Sequence, residues 1–148
     1  MRKFFALILF LPLGFMGCKE TLVHPNPPNA ILNISINLQE PQYYDLRFVS
    51  GFMYLKSEEN STSRGLIAYR FSETEFRVYD RLPPNEPDAC CDSEGNCTRL
   101  MVDIPFVVDN CNGIKYNILN GDLFEGEGIY PLFQYHTSFD GITLRIFN

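Results

Sequence analysis

The sequence predicts a single all-β domain. Leucine and isoleucine alternate with asparagine and serine over residues 31–39, which is the period-two pattern of a half-buried strand. The pair Asp140-Gly141 lies between two apolar segments and is expected to supply the positive φ angles of a tight β-hairpin. No window of useful length has helical periodicity, and 148 residues are too few for two comfortable cores.

The other strands are predicted from short apolar segments between polar or glycine-rich ones. Residues 56–65 are charged and rich in serine, which predicts a hairpin loop. Pro105 is expected at an edge or bend because proline donates no ladder hydrogen bond. Residues 120–128 are rich in glycine and predict a turn region, and His136 is expected to be an exposed strand residue. In chain order, the predicted strands are 31–39, 52–55, 66–71, 76–80, one or two within 99–108, 114–119, 132–139 and 142–148.

Residues 1–17 have the features of an export signal. Arg2 and Lys3 precede an apolar stretch that ends at Met16, a length that suits a signal peptide and is short for a membrane-spanning helix. The junction Gly17-Cys18 resembles the bacterial lipoprotein signal, in which the cysteine is acylated after cleavage. We therefore expect lipidation of Cys18 and anchoring in the lipid bilayer. The alternative is a plain secretory peptide followed by a chance cysteine.

Residues 18–29 are predicted to form a proline-rich tether to a domain at 30–148, with His24 as a solvated linker residue. The pair Lys19-Glu20 resembles the tag of lipoproteins that Bacteroidota send to the outer surface. This predicts an outer-membrane location and leaves surface exposure open. Loss of the signal peptide leaves 10 basic and 18 acidic residues, a net charge of −8. Such a charge repels phosphate backbones, so we expect no nucleic-acid binding.

The second half of the chain has a distinctive order of loops. The sequence Tyr-Asp-Arg at 79–81 leads into a loop rich in proline and cysteine, and Phe-Val-Val-Asp at 106–109 leads into a second loop. An aromatic strand, paired glycines, Pro131-Leu132 and the closing hairpin follow. This order resembles the Rieske domain, and in particular the Rieske-like lipoproteins of Bacteroidota, over roughly residues 65 to 148. The resemblance implies a Rieske-like antiparallel β-sandwich with a smaller, loop-rich β subdomain.

The resemblance also identifies positions in the second loop. The residues at the family's spacings are Gly113, Tyr116, Asn120-Gly121 and Gly126. In the family, two thiolates and two imidazoles hold a [2Fe–2S] cluster. Here the thiolate positions are Pro83 and Asp109, and the imidazole positions are Asn85 and Asn112. The side chain of proline has no atom that can bind iron, and neutral amides are poor ligands for iron bound to sulfide. We therefore expect these four residues to be vestiges of a cluster site and the protein to have no cofactor.

Four cysteines remain when Cys18 is assigned to lipid, an even number in an exported chain. Cys111 matches a family cysteine that is bonded to the first loop in many Rieske proteins. A bond between the adjacent Cys90 and Cys91 would be strained. The two other connectivities both link the loops through Cys111 and close a small loop at Cys97, and the choice between them stays open.

Other uses of these loops are less consistent with the residues. A zinc site on the four thiols lacks the usual paired spacing, and the same holds for a different iron–sulfur cluster. Thiol–disulfide catalysis needs a low thiol pKa, which the acidic first loop disfavours. Its acidic residues are expected to be solvated and not to bind calcium. Tyr79, Phe106 and Tyr116 could line a small-molecule site, although we expect core residues.

These observations indicate no catalytic residues. We expect a non-catalytic, membrane-anchored envelope lipoprotein that acts as a binding or assembly module for an unidentified envelope protein. The alternative that the resemblance implies is a Rieske-type [2Fe–2S] electron-transfer protein or oxidoreductase subunit.

Overall fold

The computed structural model describes residues 27–57 and 61–148. The predicted signal peptide at 1–17, the lipidation site Cys18 and His24 lie outside these residues. No helix within the described ranges has the length and apolar character that crossing a membrane requires. The strands are β1 (Asn33–Asn37), β2 (Phe52–Leu55), β3 (Leu66–Arg70), β4 (Phe76–Asp80), β5 (Met101–Asp103), β6 (Phe106–Asp109), β7 (Ile114–Asn117), β8 (Leu123–Glu125), β9 (Gln134–Phe139) and β10 (Thr143–Phe147).

The prediction of an all-β protein is confirmed for the described residues. The strands form two antiparallel sheets, one of six strands in the order β1-β10-β9-β4-β3-β2 and one of four in the order β5-β6-β7-β8. A short 3₁₀ segment at Pro41–Arg47 connects β1 to β2 and is interrupted at Tyr43. The small sheet is an antiparallel meander. The loop before β5, the loop after β6 and the segment after β8 therefore lie at the same end of this sheet.

The hairpin β3–β4 is buried on both faces and joins the two sheets. Leu66 and Ala68 of β3 lie in one hydrophobic core with β1, β9 and β10. Ile67 and Tyr69 of the same strand lie in a second core with side chains of the small sheet. A strand that is buried on both faces does not alternate in polarity, which explains the continuous apolar segment in the sequence. The small sheet, and with it the loops, is therefore packed against β3–β4.

Two local predictions need correction. The glycine-rich segment at 120–128 contains the strand β8, which pairs with β7 across an irregularity at Lys115/Tyr116. All three β8 residues are exposed, so no hydrophobic pattern indicates the strand. In the β9–β10 hairpin, only Gly141 of the predicted pair has a positive φ, at 98°. Asp140 instead accepts hydrogen bonds from the backbone N–H groups of Ile142 and Thr143 at 2.9 and 2.7 Å.

Candidate functional site

Two loops meet at the position where the sequence analysis placed the vestigial ligands. Loop L1 comprises residues 81–100 between β4 and β5, and loop L2 comprises residues 110–113 between β6 and β7. The side-chain amide of Asn112 in L2 donates to the backbone carbonyl of Asn85 in L1 at 3.3 Å. We call the cluster of Asn85, Asp109, Asn112 and Tyr116 the inter-loop site.

Asn85 uses the whole hydrogen-bonding capacity of its side-chain amide. Its Nδ2 donates to the hydroxyl of Tyr116 at 2.9 Å and to the carbonyl of Tyr130 at 3.0 Å. Its Oδ1 accepts from the backbone N–H groups of Ile129 and Tyr130 at 2.9 and 3.1 Å. An amide has two donors and two acceptor positions, and all four are occupied. Asn85 therefore ties L1 to β7 and to the segment between β8 and β9.

Asp109 organises L2 in a similar way. Its carboxylate is 1% exposed. One oxygen accepts from the backbone N–H groups of Cys111 and Asn112, and the other accepts from the Asn112 side chain at 3.0 Å. A buried carboxylate needs such donors because desolvation otherwise disfavours its charge. The bonds thus fix the turn of L2 and place Asn112 against L1.

Pro83 is the remaining one of the four predicted positions, and Tyr116 is the aromatic residue of the inter-loop site. Both residues are buried, and Tyr116 belongs to the second core. Burial is the largest cause that raises the pKa of Tyr116 to about 12, and the nearby charge of Asp109 acts in the same direction. The phenol therefore remains neutral at physiological pH and serves as a hydrogen-bond partner of Asn85.

The donor set at these positions does not fit a [2Fe–2S] cluster. Pro83 has no side-chain donor, and the side-chain amide of Asn85 is saturated by groups of the protein. Asp109 offers carboxylate oxygens at a position where the Rieske resemblance predicts thiolate sulfur, and those oxygens are engaged by L2. The residue types alone indicate which ligands are lacking, but the hydrogen bond between the Asn112 and Asp109 side chains is evident only from the structure.

Two disulfides confirm the predicted use of the cysteines. Cys90 is bonded to Cys111, so a covalent bond joins L1 and L2. Cys91 is bonded to Cys97, which closes the small loop within L1. Of the two connectivities that stayed open, the structure therefore has the one in which the earlier cysteine of the adjacent pair crosses to L2. The four sulfurs are bonded in pairs, so they do not form a tetrathiolate zinc site.

Two acidic side chains of L1, Asp88 and Asp92, are held by groups of the protein. Asp88, Cys91 and Cys97 place their ligand atoms within 4.8 Å of one another, but the two sulfurs are bonded to each other. Asp92 accepts from the side chain of Asn96 and from backbone N–H groups, which lower the pKa of its carboxyl. These contacts indicate a solvated loop whose carboxylates accept hydrogen bonds from the protein, and they do not favour a cation site.

Arg64 holds L1 against the six-stranded sheet, a role that sequence reasoning missed. Its guanidinium donates to the carbonyls of Pro87 and Thr98 at 2.6 and 2.8 Å and pairs with Asp88 at 3.0 Å. Burial is the largest cause that lowers the pKa of Arg64, and Asp88 acts against it. No local pattern marks this residue because its partners are distant in sequence. It is a structural clamp for the loop.

A cleft of about 730 Å³ opens beside the inter-loop site. Asn85 and Asn112 line it together with Glu127, Gly128 and Tyr130. Pro84, Pro87, Ile114 and Ile129 supply apolar walls to this cleft. Tyr79 and Tyr116 are fully buried, in agreement with the expectation that they are core residues. Phe106 is half-buried and its ring contacts that of Phe124 at 4.6 Å.

No protein-family model matches this chain, and no curated protein matches it. The fold and the site define its class as an all-β, disulfide-bonded protein. The functional assignment therefore rests on the residues themselves.

Proposed function

We propose that this protein is a non-catalytic lipoprotein of the bacterial envelope whose Rieske-like domain is a binding or assembly module without a [2Fe–2S] cluster. The observation that carries the proposal is the inter-loop site. Asn85, Asp109 and Asn112 are three of the four vestigial positions. Their side chains form hydrogen bonds with each other and with neighbouring backbone groups. Hydrogen bonds and one disulfide thus connect the loops that a cluster would otherwise connect.

The arrangement of the loops supports the Rieske-like part of the proposal. L1 and L2 flank β5 and β6 in a small sheet that is packed on a larger one, and the covalent link runs through Cys111. Gly121 and Leu132 hydrogen-bond through their backbones, which places the paired-glycine turn beside the Pro-Leu segment. The smaller, loop-rich sheet and the disulfide through Cys111 are the features that support the Rieske-like part of the proposal.

The absence of a cluster is tested by colour. Protein expressed with iron and sulfide available and purified without oxygen should be colourless and free of stoichiometric iron. A band between about 400 and 600 nm with rhombic electron paramagnetic resonance after reduction would instead support the alternative of a Rieske-type electron carrier or oxidoreductase subunit.

The lipid anchor is tested separately at Cys18. Wild-type protein should fractionate with outer membranes and enter the detergent phase in phase partition, while Cys18→Ser should enter the aqueous phase. Equal partition of the two proteins would refute acylation at Cys18 and leave the plain secretory peptide. Cross-linking in intact cells, followed by identification of what co-purifies, would then identify the envelope partner.

A further inference from the structure

A second cleft, outside the inter-loop site, collects positive charge in an acidic protein. Its volume is about 370 Å³, and it lies between the end of β2, the start of β3 and the two ends of L1. Four of the chain's 12 Lys and Arg residues line it, and no acidic side chain does among the described residues. The basic residues are Lys56, Arg64, Arg81 and Arg99. We call this feature the basic cleft.

Arg81 is held in place with its terminal amino groups unused. Its Nε donates to the carbonyl of Leu100 at 2.9 Å, and its guanidinium lies 4.0 Å from the centre of the Tyr54 ring. The Tyr54 hydroxyl in turn accepts from the backbone N–H of Val102 at 2.8 Å, which fixes the ring. Neither terminal amino group of Arg81 has an acceptor within the part of the chain that the structure describes. A guanidinium held in this way loses little conformational entropy when it binds an anion.

Among the described residues, one of the four basic side chains of the cleft has an ion-pair partner. Arg99 and Lys56 are exposed, and neither forms an ion pair with a described residue. Burial is the largest cause that lowers the pKa of Arg64 and of Arg81, and the charge of Arg99 acts in the same direction on both. Of these basic residues, Arg64 forms the ion pair, with Asp88 of L1. The basic cleft therefore concentrates like charges that repel one another, a situation that a bound anion relieves.

We propose that the basic cleft binds a phosphate group, free or as the headgroup of a phospholipid. Besides Arg64, which is engaged by L1, two guanidinium groups and one ammonium group line the cleft. A phosphate monoester offers them three acceptor oxygens and close to two negative charges at neutral pH. A carboxylate has one charge and one bidentate edge, which suits a single fork. The proposal goes beyond the proposed function, and it depends neither on the lack of a cluster nor on the lipid anchor.

The test is calorimetric titration of the full-length protein in a non-ionic detergent at low ionic strength. The probes are inorganic phosphate and dihexanoyl phosphatidate, with dihexanoyl phosphatidylcholine as the zwitterionic control. We expect saturable binding of at least one of the two phosphate probes, weakened about tenfold or more by Arg99→Gln because one charge-assisted fork is lost. Arg99 makes no hydrogen bond that the fold requires, so this variant should unfold at the wild-type temperature.

Matched variants distinguish phosphate binding at the basic cleft from a general effect of the protein's net charge. Arg145→Gln removes the same charge from an exposed position on β10 and should leave binding unchanged. Glu58 and Glu59 follow Lys56 in the sequence and lie outside the described residues. Glu58→Gln/Glu59→Gln should bind phosphate at least as strongly as the wild type, because nearby negative charge is removed. Weaker binding by this double variant would contradict the proposal.

The two sources of phosphate give different results. Tighter binding of dihexanoyl phosphatidate than of inorganic phosphate assigns the cleft to a lipid headgroup, and the reverse order assigns it to a free phosphate. The proposal is overturned if neither probe saturates up to about 10 mM, which corresponds to a negligible affinity. It is also overturned if Arg99→Gln and Arg145→Gln bind equally well.

Discussion

Replacement of Asn85 by alanine should destabilise the protein by about 3 kcal/mol. The variant loses four hydrogen bonds, of which the one to the backbone of exposed Ile129 can be replaced by water. The other three join part-buried groups of Tyr116 and Tyr130, and each is worth about 1 kcal/mol net. Urea unfolding at neutral pH with the disulfides intact measures the difference.

The control for this measurement is Asn110→Ala. Asn110 lies in L2 and is exposed, and its side-chain amide contacts only the sulfur of Met101 at 3.5 Å. We expect a change below about 0.5 kcal/mol for this variant. If Asn85→Ala costs no more than Asn110→Ala, the inter-loop site does not hold the loops together, and our account of it is wrong.

A double-mutant cycle with Gly128 tests the same contact from its other side. A Cβ atom at position 128 would lie 2.9 Å from Nδ2 of Asn85 and 3.3 Å from Leu123. Because four hydrogen bonds pin the amide of Asn85, it cannot move aside, so Gly128→Ala should cost about 1–3 kcal/mol. In the Asn85→Ala background the nearest atom is gone, and the cost of Gly128→Ala should fall by about 1 kcal/mol or more. Additive costs would show that the two residues do not interact.

Two further predictions concern the disulfides and Tyr116. Replacement of Cys90 and Cys111 by serine should lower the free energy of unfolding by about 3 kcal/mol, and replacement of Cys91 and Cys97 by about 2 kcal/mol. The first bond has the larger effect because a sequence separation of 21 restricts the unfolded chain more than one of 6. The opposite order of the two losses in denaturant unfolding would contradict this explanation. The raised pKa of Tyr116, about 12, means that the unfolded chain releases this proton near pH 10 while the folded chain keeps it. The free energy of unfolding should therefore decrease between pH 10 and 12, and it should decrease less in Tyr116→Phe. If it decreases equally with pH in the wild type and in Tyr116→Phe, the pKa of Tyr116 is not raised.

The strands with a local signal could be predicted from the sequence. In β1 the alternation of residues 31–39 reflects one buried and one solvated face, and Asp140-Gly141 marked the last hairpin because its geometry depends on adjacent residues. The continuous apolar segments of β3 and β4 also predicted strands, although their burial on both faces became evident only from the packing of the small sheet. Strand β8 had no such signal, since all three of its residues are exposed and its backbone pairs with β7 across an irregularity.

For the candidate site, the sequence by itself determined which residue types are present and what chemistry they lack. The sequence has proline, aspartate and two asparagines at the four positions that the Rieske resemblance designates as ligand positions, and the even number of cysteines indicated disulfides. Only the tertiary structure decided that Cys90 crosses to Cys111, that Asn85 is saturated, and that Arg81 and Arg99 share a cleft with Lys56. The physical reason is that such contacts join side chains far apart in the chain, and their distances are determined by how the two sheets pack together.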